Sequence, residues 1–287
     1  MVRLLTTLLF ASILIPQVKE TVGAEGACYL LVDAGSGEAL LEMGADEVRQ
    51  VASLTKLATA AVAFQWASED PGRLQEEMEV TAAALQGGAN PLGLQVGDRL
   101  TLQSAIDAAM TSSDNTSASV LAEHIGARLS PGQTGFEAVN VFVLEMNKFA
   151  ASLEMKSTRF VNPHGLDQGS EFGESTVRDL VKLSRAALMI PGFLDSISRT
   201  GEEVKFQRSG SGQSVKLWNT NELLSKDGVD GGKTGTTRRA GACLMVTALR
   251  DVRGDGKPLR VVGVLLNSSD RSAQMETLLE EAFHKLQ

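Results

Sequence analysis

Three short motifs, separated by long stretches of chain, constrain the fold of this protein more than any other feature. They are Ser-Leu-Thr-Lys at residues 53–56, Ser-Asp-Asn at residues 113–115 and Lys-Thr-Gly at residues 233–235. Sixty residues separate the first two motifs, and another 120 separate the second from the third. Two serines, two lysines and an amide predict a nucleophilic serine, a base other than histidine and a bound carboxylate. Such chemistry requires a fold that brings all three motifs to one cleft.

Ser53 and Lys56 open an alanine-rich segment with helical periodicity, which predicts a helix from Ser53 to Trp66. Residues three apart lie on the same face of a helix. A neutral lysine amine can accept the proton of a serine hydroxyl, and burial near a second cation such as Lys233 lowers a lysine pKa. The helix amino terminus favours a developing oxyanion. The alternative is a surface helix in which serine and lysine meet by chance.

Ser113 and Asn115 lie in a polar cluster that interrupts two predicted helices within residues 101–126. A serine between two lysines can relay a proton to a leaving amine. Asn115 can offer its amide to a substrate backbone and to Lys56. The alternative is a helix cap, because Ser, Asp and Asn are the preferred capping residues.

The segment from Lys233 to Thr237 follows two glycines, so a phosphate-binding loop has to be considered. That loop requires glycine five residues before Gly232, but residue 227 is aspartate. Strand-forming threonines also follow where a helix should begin. We therefore predict an edge strand whose Lys233 and Thr234 face the site, with Gly235 allowing close approach of a substrate backbone. The amide hydrogens of Ser53 and Thr236 are expected to form the oxyanion hole.

The amino terminus has the pattern of a signal peptide. Arg3 precedes an apolar run over residues 4–15, and Val22-Gly23-Ala24 supplies the small residues of a cleavage site after Ala24. The apolar run is short for a membrane-spanning helix. We therefore expect an exported protein, periplasmic or secreted, without a stable membrane anchor after cleavage. The alternatives are an uncleaved anchor and a lipoprotein at Cys28.

Composition argues against one class of partner but does not decide whether the two cysteines form a disulfide. The 287 residues carry a formal net charge of −8, which argues against nucleic acid as a partner. Cys28 and Cys243 can form a disulfide in an exported protein, or serve as small core residues in their apolar runs. The three histidines have no metal-ligand spacing, so we expect no metal site.

The pattern of elements predicts an α+β protein. Residues 28–33 and 37–43 form a hairpin signal, and three strands and a closing helix are predicted after Lys233. Strands at both ends with helices between imply an antiparallel sheet with a helical insertion. We expect one domain over residues 25–287, with an α/β part at 25–52 and 215–287 and a mainly helical part at 53–214. A glycine- and serine-rich hairpin is predicted at residues 202–214.

With these motifs the chain resembles the low-molecular-mass penicillin-binding proteins, specifically the serine-type D-alanyl-D-alanine carboxypeptidases. The resemblance begins near residue 27 and reaches the carboxy terminus. Four further stretches are typical of that family: residues 44–47, 94–98, 160–167 and 175–180.

The resemblance implies a five-stranded antiparallel sheet covered by helices, as in β-lactamases and DD-peptidases, and a role for each motif residue. Ser53 would be the acyl-ester nucleophile, Lys56 the proton acceptor and Ser113 the proton relay. The substrate-binding residues would be Asn115, Lys233, Thr234, Gly235, Thr236 and Arg271. For Arg271 the alternative is a surface arginine at a helix start.

The implied reaction is removal of the terminal D-alanine from a peptidoglycan stem pentapeptide, with no metal or cofactor. β-Lactams resemble the D-Ala-D-Ala dipeptide and would acylate Ser53. Many family members carry a second, β-rich domain and a carboxy-terminal amphipathic helix, and we expect neither here.

Three alternative functions remain. An endopeptidase that cuts D-Ala-containing cross-links would use the same residues. A class A β-lactamase needs a Glu-x-x-Leu-Asn stretch, which residues 116–232 lack. A non-catalytic β-lactam sensor should have a transmembrane signalling segment, and none is apparent after residue 24.

Overall fold

Apolar segments from the two ends of the chain pair in a central sheet. The computed structural model describes residues 26–167 and 171–287. The strands are β1 Cys28–Asp33, β2 Ala39–Met43, β9 Val229–Thr237, β10 Gly241–Arg250 and β11 Leu259–Ser268, numbered in chain order. They lie antiparallel in the order β2-β1-β11-β10-β9. The predicted α+β class and five-stranded sheet are confirmed, while the signal peptide predicted at residues 1–24 lies outside the described residues.

Both faces of this sheet are buried. Successive side chains of a strand point to opposite faces. Leu31 and Leu265 therefore join the core beneath helix α7 (Arg271–Lys285), whereas Leu30 and Val264 join the larger core on the other face. This two-sided burial explains why β10 and β11 read as continuous apolar runs. The edge strand β9 lacks such an apolar run. Its free edge faces the helical part of the molecule.

The helices between the sheet segments surround α1, which is buried along nearly its whole length. The helices are α1 Thr55–Ser68, α2 Leu102–Thr111, α3 Asn115–Leu129, α4 Gly135–Ser152, α5 Val177–Leu188 and α6 Phe193–Ser198. A helix that is apolar on all sides is a core helix, which suits the alanine-rich sequence of α1. None of the helices in the described part of the chain combines the length and apolar character that a bilayer crossing requires.

A second sheet lies within the part that the sequence predicts to be mainly helical. Its strands are β4 Glu77–Glu79, β5 Arg99–Thr101, β7 Gly201–Arg208 and β8 Ser211–Trp218, and β3 Arg49–Gln50 pairs separately with β6 Glu174–Ser175. The hairpin predicted at residues 202–214 corresponds to β7 and β8. Strands β4 and β5 have three residues each, too few for an alternating pattern to stand out. Because β8 runs through residue 214, the predicted division at that point does not follow the strand bounds.

The two cysteines are free thiols in the core. Cys28 and Cys243 are both buried and unpaired. Burial raises the pKa of both thiols, that of Cys243 to about 11. The structure therefore supports the interpretation of both cysteines as small core residues over that of a disulfide.

The crossing of α3 and α4 depends on a residue without a side chain. A Cβ atom at Gly126 would overlap the carbonyl oxygen of Ala138, which belongs to the neighbouring helix backbone. We expect Gly126→Ala to lower the free energy of unfolding by about 3 kcal/mol, because overpacking forces the two helices apart. Urea unfolding measures this change. Gly212→Ala is the control, since the nearest atom to its added Cβ is 3.9 Å away. An equal effect in both variants would contradict the packing argument.

Candidate active site

Ser53 lies in a tight turn that leads into the central helix. Residues Ala52–Leu54 form a short 3₁₀ helix, and α1 begins at Thr55. Ala52 has φ +48°, a left-handed conformation that directs the chain into this turn. Lys56, in the first turn of α1, places its Nζ 3.0 Å from Ser53 Oγ. The predicted pairing of Ser53 and Lys56 on one helix face is therefore present.

The Lys56 amine has four oxygen neighbours although it is fully buried. Besides Ser53 Oγ, Nζ lies 3.3 Å from Ser113 Oγ, 2.6 Å from Asn115 Oδ1 and 3.1 Å from the His164 carbonyl oxygen. The last two oxygens can only accept hydrogen bonds. A neutral amine that donates to both of them keeps its lone pair for a serine hydroxyl. The geometry therefore suits an amine that receives a proton from Ser53 or Ser113.

The charge state of Lys56 agrees with this geometry. Burial, and after it the nearby charge of Lys233, lowers the pKa of Lys56 well below its usual value, and only Asp114 acts in the opposite direction. Removal from water disfavours the ammonium, and a like charge disfavours it further. Both effects favour the neutral amine of Lys56 over the ammonium.

Ser113 and Asn115 are free for the site because Asp114 provides the helix cap. Asp114 accepts hydrogen bonds from Ser117 N at 2.7 Å and from Leu92 N at 2.9 Å. Ser113 has φ +62°, which turns its hydroxyl toward Lys56. Asn115 donates to Gly87 O at 2.7 Å and accepts from Lys56. Asp114 thus caps the helix, while Ser113 and Asn115 contact Lys56. Both interpretations of the tripeptide, helix cap and site, therefore hold.

The Lys-Thr-Gly motif lies on the edge strand, as predicted. Lys233 is buried, and its Nζ donates to Thr234 O at 3.1 Å. Burial, helped by the charge of Arg271, lowers the pKa of Lys233 to about 7. Thr234 lines the cleft and shares a hydrogen bond with Thr220 Oγ1 at 2.5 Å. Thr234 thus faces the site, whereas Lys233 lies below its surface.

Gly235 is the point at which β9 lies close to the backbone of Ser53. A Cβ atom at this position would lie 2.8 Å from Ser53 N and 3.2 Å from Leu54 N. The glycine therefore allows β9 to approach the protein's own backbone at the candidate nucleophile, and it also lines the cleft. Thr236, the next residue, also lines the cleft.

Arg271 reaches the site from the first turn of α7. Asp270 caps that helix through a hydrogen bond from Ala273 N, which fixes the direction of the chain at this point. The Nη1 atom of Arg271 donates to Gly235 O at 3.2 Å and to Thr236 Oγ1 at 2.8 Å. Arg271 thus contacts the strand that lines the cleft. It is not a surface arginine without contacts to the site, which was the alternative.

All three motifs meet at one cleft of about 320 Å³. The cleft is lined by Ser53, Ser113, Asn115, Thr234, Gly235, Thr236 and Arg271 from the predicted set, and by Ala89, Ser112, Gly165, Leu166, Thr220 and Thr237 in addition. Lys56 and Lys233 are buried beneath its floor.

The loop at residues 162–166 supports the site in a way that the sequence did not reveal. Asn162 Oδ1 accepts from Gly165 N at 2.6 Å, and Thr59 Oγ1 donates to Pro163 O at 2.6 Å. These bonds hold the His164 carbonyl against Lys56. Burial lowers the pKa of the His164 imidazole to about 3, so the ring stays neutral, and its Nδ1 accepts from Leu166 N. The Asn-Pro-His-Gly sequence signals a turn, but not which carbonyl it presents.

Comparison with protein families decides between the interpretations of this cleft. The family model described as D-alanyl-D-alanine carboxypeptidase matches residues 16–269. The chain belongs to this family. The resemblance inferred from the motifs is thereby confirmed.

Two relatives show the range of activities within the family. D-alanyl-D-alanine carboxypeptidase DacF of Bacillus subtilis is 27% identical over 90% of this chain and 62% of its own length. A D-alanyl-D-alanine endopeptidase of Escherichia coli is 33% identical over 76% of this chain and 65% of its own length. The chain thus spans less than two thirds of the length of these relatives.

Solved structures of two family relatives share the fold. A DD-transpeptidase of Streptomyces is 26% identical and covers 89% of this chain and 96% of its own, with a TM-score of 0.78. A penicillin-binding protein of Listeria monocytogenes, solved in its ampicillin-bound form, is 30% identical with the same coverage and a TM-score of 0.73. The fold expected from the motifs is confirmed.

Proposed function

We propose that this chain is a serine DD-carboxypeptidase that removes the terminal D-alanine from peptidoglycan stem pentapeptides. One observation carries the proposal. The buried Lys56 amine lies within 3.3 Å of both Ser53 Oγ and Ser113 Oγ, at the floor of a cleft bordered by an edge strand. A base placed between two hydroxyls can activate one and use the other to pass its proton on. The predicted export of the chain would bring this site to the cell envelope.

In the first step, Ser53 Oγ attacks the carbonyl carbon of the D-Ala-D-Ala bond while Lys56 accepts its proton. The carbonyl electron pair moves to oxygen and gives a tetrahedral oxyanion. The amide hydrogens of Ser53 and Thr236 would stabilise that charge; the close approach of β9 to the Ser53 backbone at Gly235 supports this assignment.

In the second step, the tetrahedral intermediate collapses and the C–N bond breaks. The proton on Lys56 passes through Ser113 Oγ to the leaving amine, which departs as D-alanine. Lys233, Thr234, Thr236 and Arg271 would hold the terminal carboxylate during this step. Water then attacks the ester on Ser53, and the acid product leaves with regeneration of the hydroxyl.

Cleavage of peptidoglycan cross-links is the second candidate, because the endopeptidase relative is 33% identical to this chain. Exo- and endopeptidase substrates share the D-alanyl carbonyl that Ser53 would attack. They differ beyond the scissile bond, where the exopeptidase substrate ends in a carboxylate.

The test is release of free D-alanine from diacetyl-L-Lys-D-Ala-D-Ala by the purified protein, beside a Ser53→Ala control. A cross-linked dimeric stem peptide is assayed in parallel. Release from the tripeptide by the wild type alone supports the carboxypeptidase. Cleavage of the cross-link alone shows the endopeptidase, and no cleavage of either peptide by folded protein overturns both.

β-Lactams are proposed as covalent inhibitors of this site. Their strained amide would occupy the position of the D-Ala-D-Ala bond, and the Listeria relative has been solved with ampicillin. We expect one equivalent of label from a fluorescent penicillin in the wild type and none in Ser53→Ala.

The activity should depend on pH in a way that the two lysines determine. As pH rises, kcat/KM should first increase as Lys56 loses its proton. It should then fall above about pH 7, because Lys233 has its pKa lowered to about 7 and loses the charge that would hold the substrate carboxylate. Measurement of kcat/KM from pH 5 to 10 checks this, and Lys233→Arg should move the alkaline decrease to higher pH. A flat profile from pH 7 to 9.5 would contradict the role of Lys233.

A further inference from the structure

The proposed function fixes the direction in which a bound peptide runs along β9. The leaving D-alanine must lie near Lys233 and Thr234, and the carbonyl under attack must lie at the amide of Thr236. The residues that precede the scissile bond therefore continue past Thr237 toward the turn between β9 and β10. Residues further before the acyl D-alanine are therefore directed toward Arg238 and Arg239, which lie in the turn after β9.

Arg238 and Arg239 lie in the turn that follows this end of the cleft. Both side chains are exposed, and they follow Thr237, which lines the cleft. The turn is held by a hydrogen bond from Ala240 N to Thr237 Oγ1 at 3.1 Å. The guanidinium carbon of Arg239 lies 5.1 Å above the ring of Phe172. This contact joins the turn after β9 to the segment that contains Phe172.

These two arginines have no carboxylate partner within 4.0 Å among the described residues, although the chain carries a net charge of −8. Arg128 and Arg250 each pair with a glutamate, whereas Arg253 donates to a backbone carbonyl. Glu171, which precedes Phe172 in the sequence, forms no ion pair with either arginine.

We infer that Arg238 and Arg239 form a subsite for a carboxylate on the second or third residue before the acyl D-alanine of the stem peptide. A guanidinium presents paired donors that match a carboxylate. Contact with Phe172 restricts Arg239, which lowers the entropy lost when a ligand binds. The subsite thus selects peptides with a free acid at this position over peptides in which the acid is amidated.

The test compares N-acetyl-γ-D-Glu-Lys(acetyl)-D-Ala-D-Ala with the same peptide carrying a carboxamide in place of the glutamate α-carboxylate. Binding is measured by titration calorimetry on Ser53→Ala protein, which does not require turnover. At low salt we expect the acid peptide to bind about three- to fivefold more tightly, the range typical of exposed ion pairs. The preference should vanish in Arg238→Gln/Arg239→Gln and shrink in 0.5 M salt.

The matched control is Arg253→Gln, an exposed arginine whose Nε donates to Leu286 O far from the cleft. It should keep the full preference. Equal binding of the two peptides to otherwise wild-type protein, or an unchanged preference in the double variant, overturns the subsite. Failure of the proposed function gives a different result, namely no D-alanine release by the wild type from either peptide.

Discussion

Lys56→Met should reduce acylation of Ser53 by a factor on the order of 10⁴ or more, while the cleft still binds substrate. Methionine has a similar length but no amine, so Ser53 loses the group that would accept its proton. The proton path to Ser113 disappears with it, because Nζ contacts both hydroxyls. The measurement is the second-order rate constant for acylation by benzylpenicillin, followed by intact-protein mass spectrometry.

The same change also leaves two buried acceptors, Asn115 Oδ1 and the His164 carbonyl, without their donor. Each unsatisfied group costs about 1–3 kcal/mol, although removal of a buried amine offsets part of this. Thermal unfolding must therefore accompany the kinetics. Lys182→Met is the control, since Lys182 also donates to a backbone carbonyl but lies on the outer surface of α5. Acylation by folded Lys56→Met within tenfold of the wild type would show that Lys56 is not the base.

The sequence predicted the structure best where the chemistry of the residues and their periodicity indicate the same helix or strand. The Ser53–Lys56 pair could be placed because helical spacing puts residues three apart on one face. The edge strand at Lys233 could be placed because Asp227 and the threonines after Gly235 exclude a phosphate-binding loop. Both inferences need only local geometry, and the structure reproduces both.

Tertiary contacts explain what the sequence did not reveal. The carbonyl of His164 is one of the four neighbours of Lys56, yet no pattern indicates which backbone oxygen a turn will present. Thr220 meets Thr234 only because the chain after β8 crosses to the edge of the other sheet. The same limitation hides β4 and β5, which are strands only because they pair with each other and with β7.

Asp114 shows how two interpretations of one segment can both hold. A cap and a catalytic tripeptide compete in the sequence because each needs short polar side chains. In the structure the cap uses only the middle residue, whose carboxylate is tied to Ser117 N and Leu92 N. The left-handed Ser113 then turns its hydroxyl into the site. Helix capping thus fixes the position of the proposed proton relay.

Gly235→Ala should lower the rate of acylation by about 10²–10³-fold while Ser53, Lys56 and Ser113 all remain. The added methyl group would lie 2.8 Å from Ser53 N, so β9 and the 3₁₀ helix must separate. Separation moves the amide of Thr236 away from that of Ser53, and the proposed oxyanion hole then loses one of its two donors. The rate constant for benzylpenicillin acylation, corrected for the folded fraction, measures the effect.

Gly231→Ala is the control that distinguishes a loss of the Thr236 amide from steric crowding of β9 by an added methyl group. Gly231 lies on the same strand, four residues earlier, and its added Cβ would be 2.9 Å from Thr247 Cγ2 and 3.0 Å from Ile197. Overpacking should cost either variant about 1–3 kcal/mol of stability. Only Gly235→Ala, however, alters the distance between the two amides, so Gly231→Ala should acylate at nearly the wild-type rate. Equal rate losses in the two variants would show that crowding of β9, and not the position of the Thr236 amide, limits acylation.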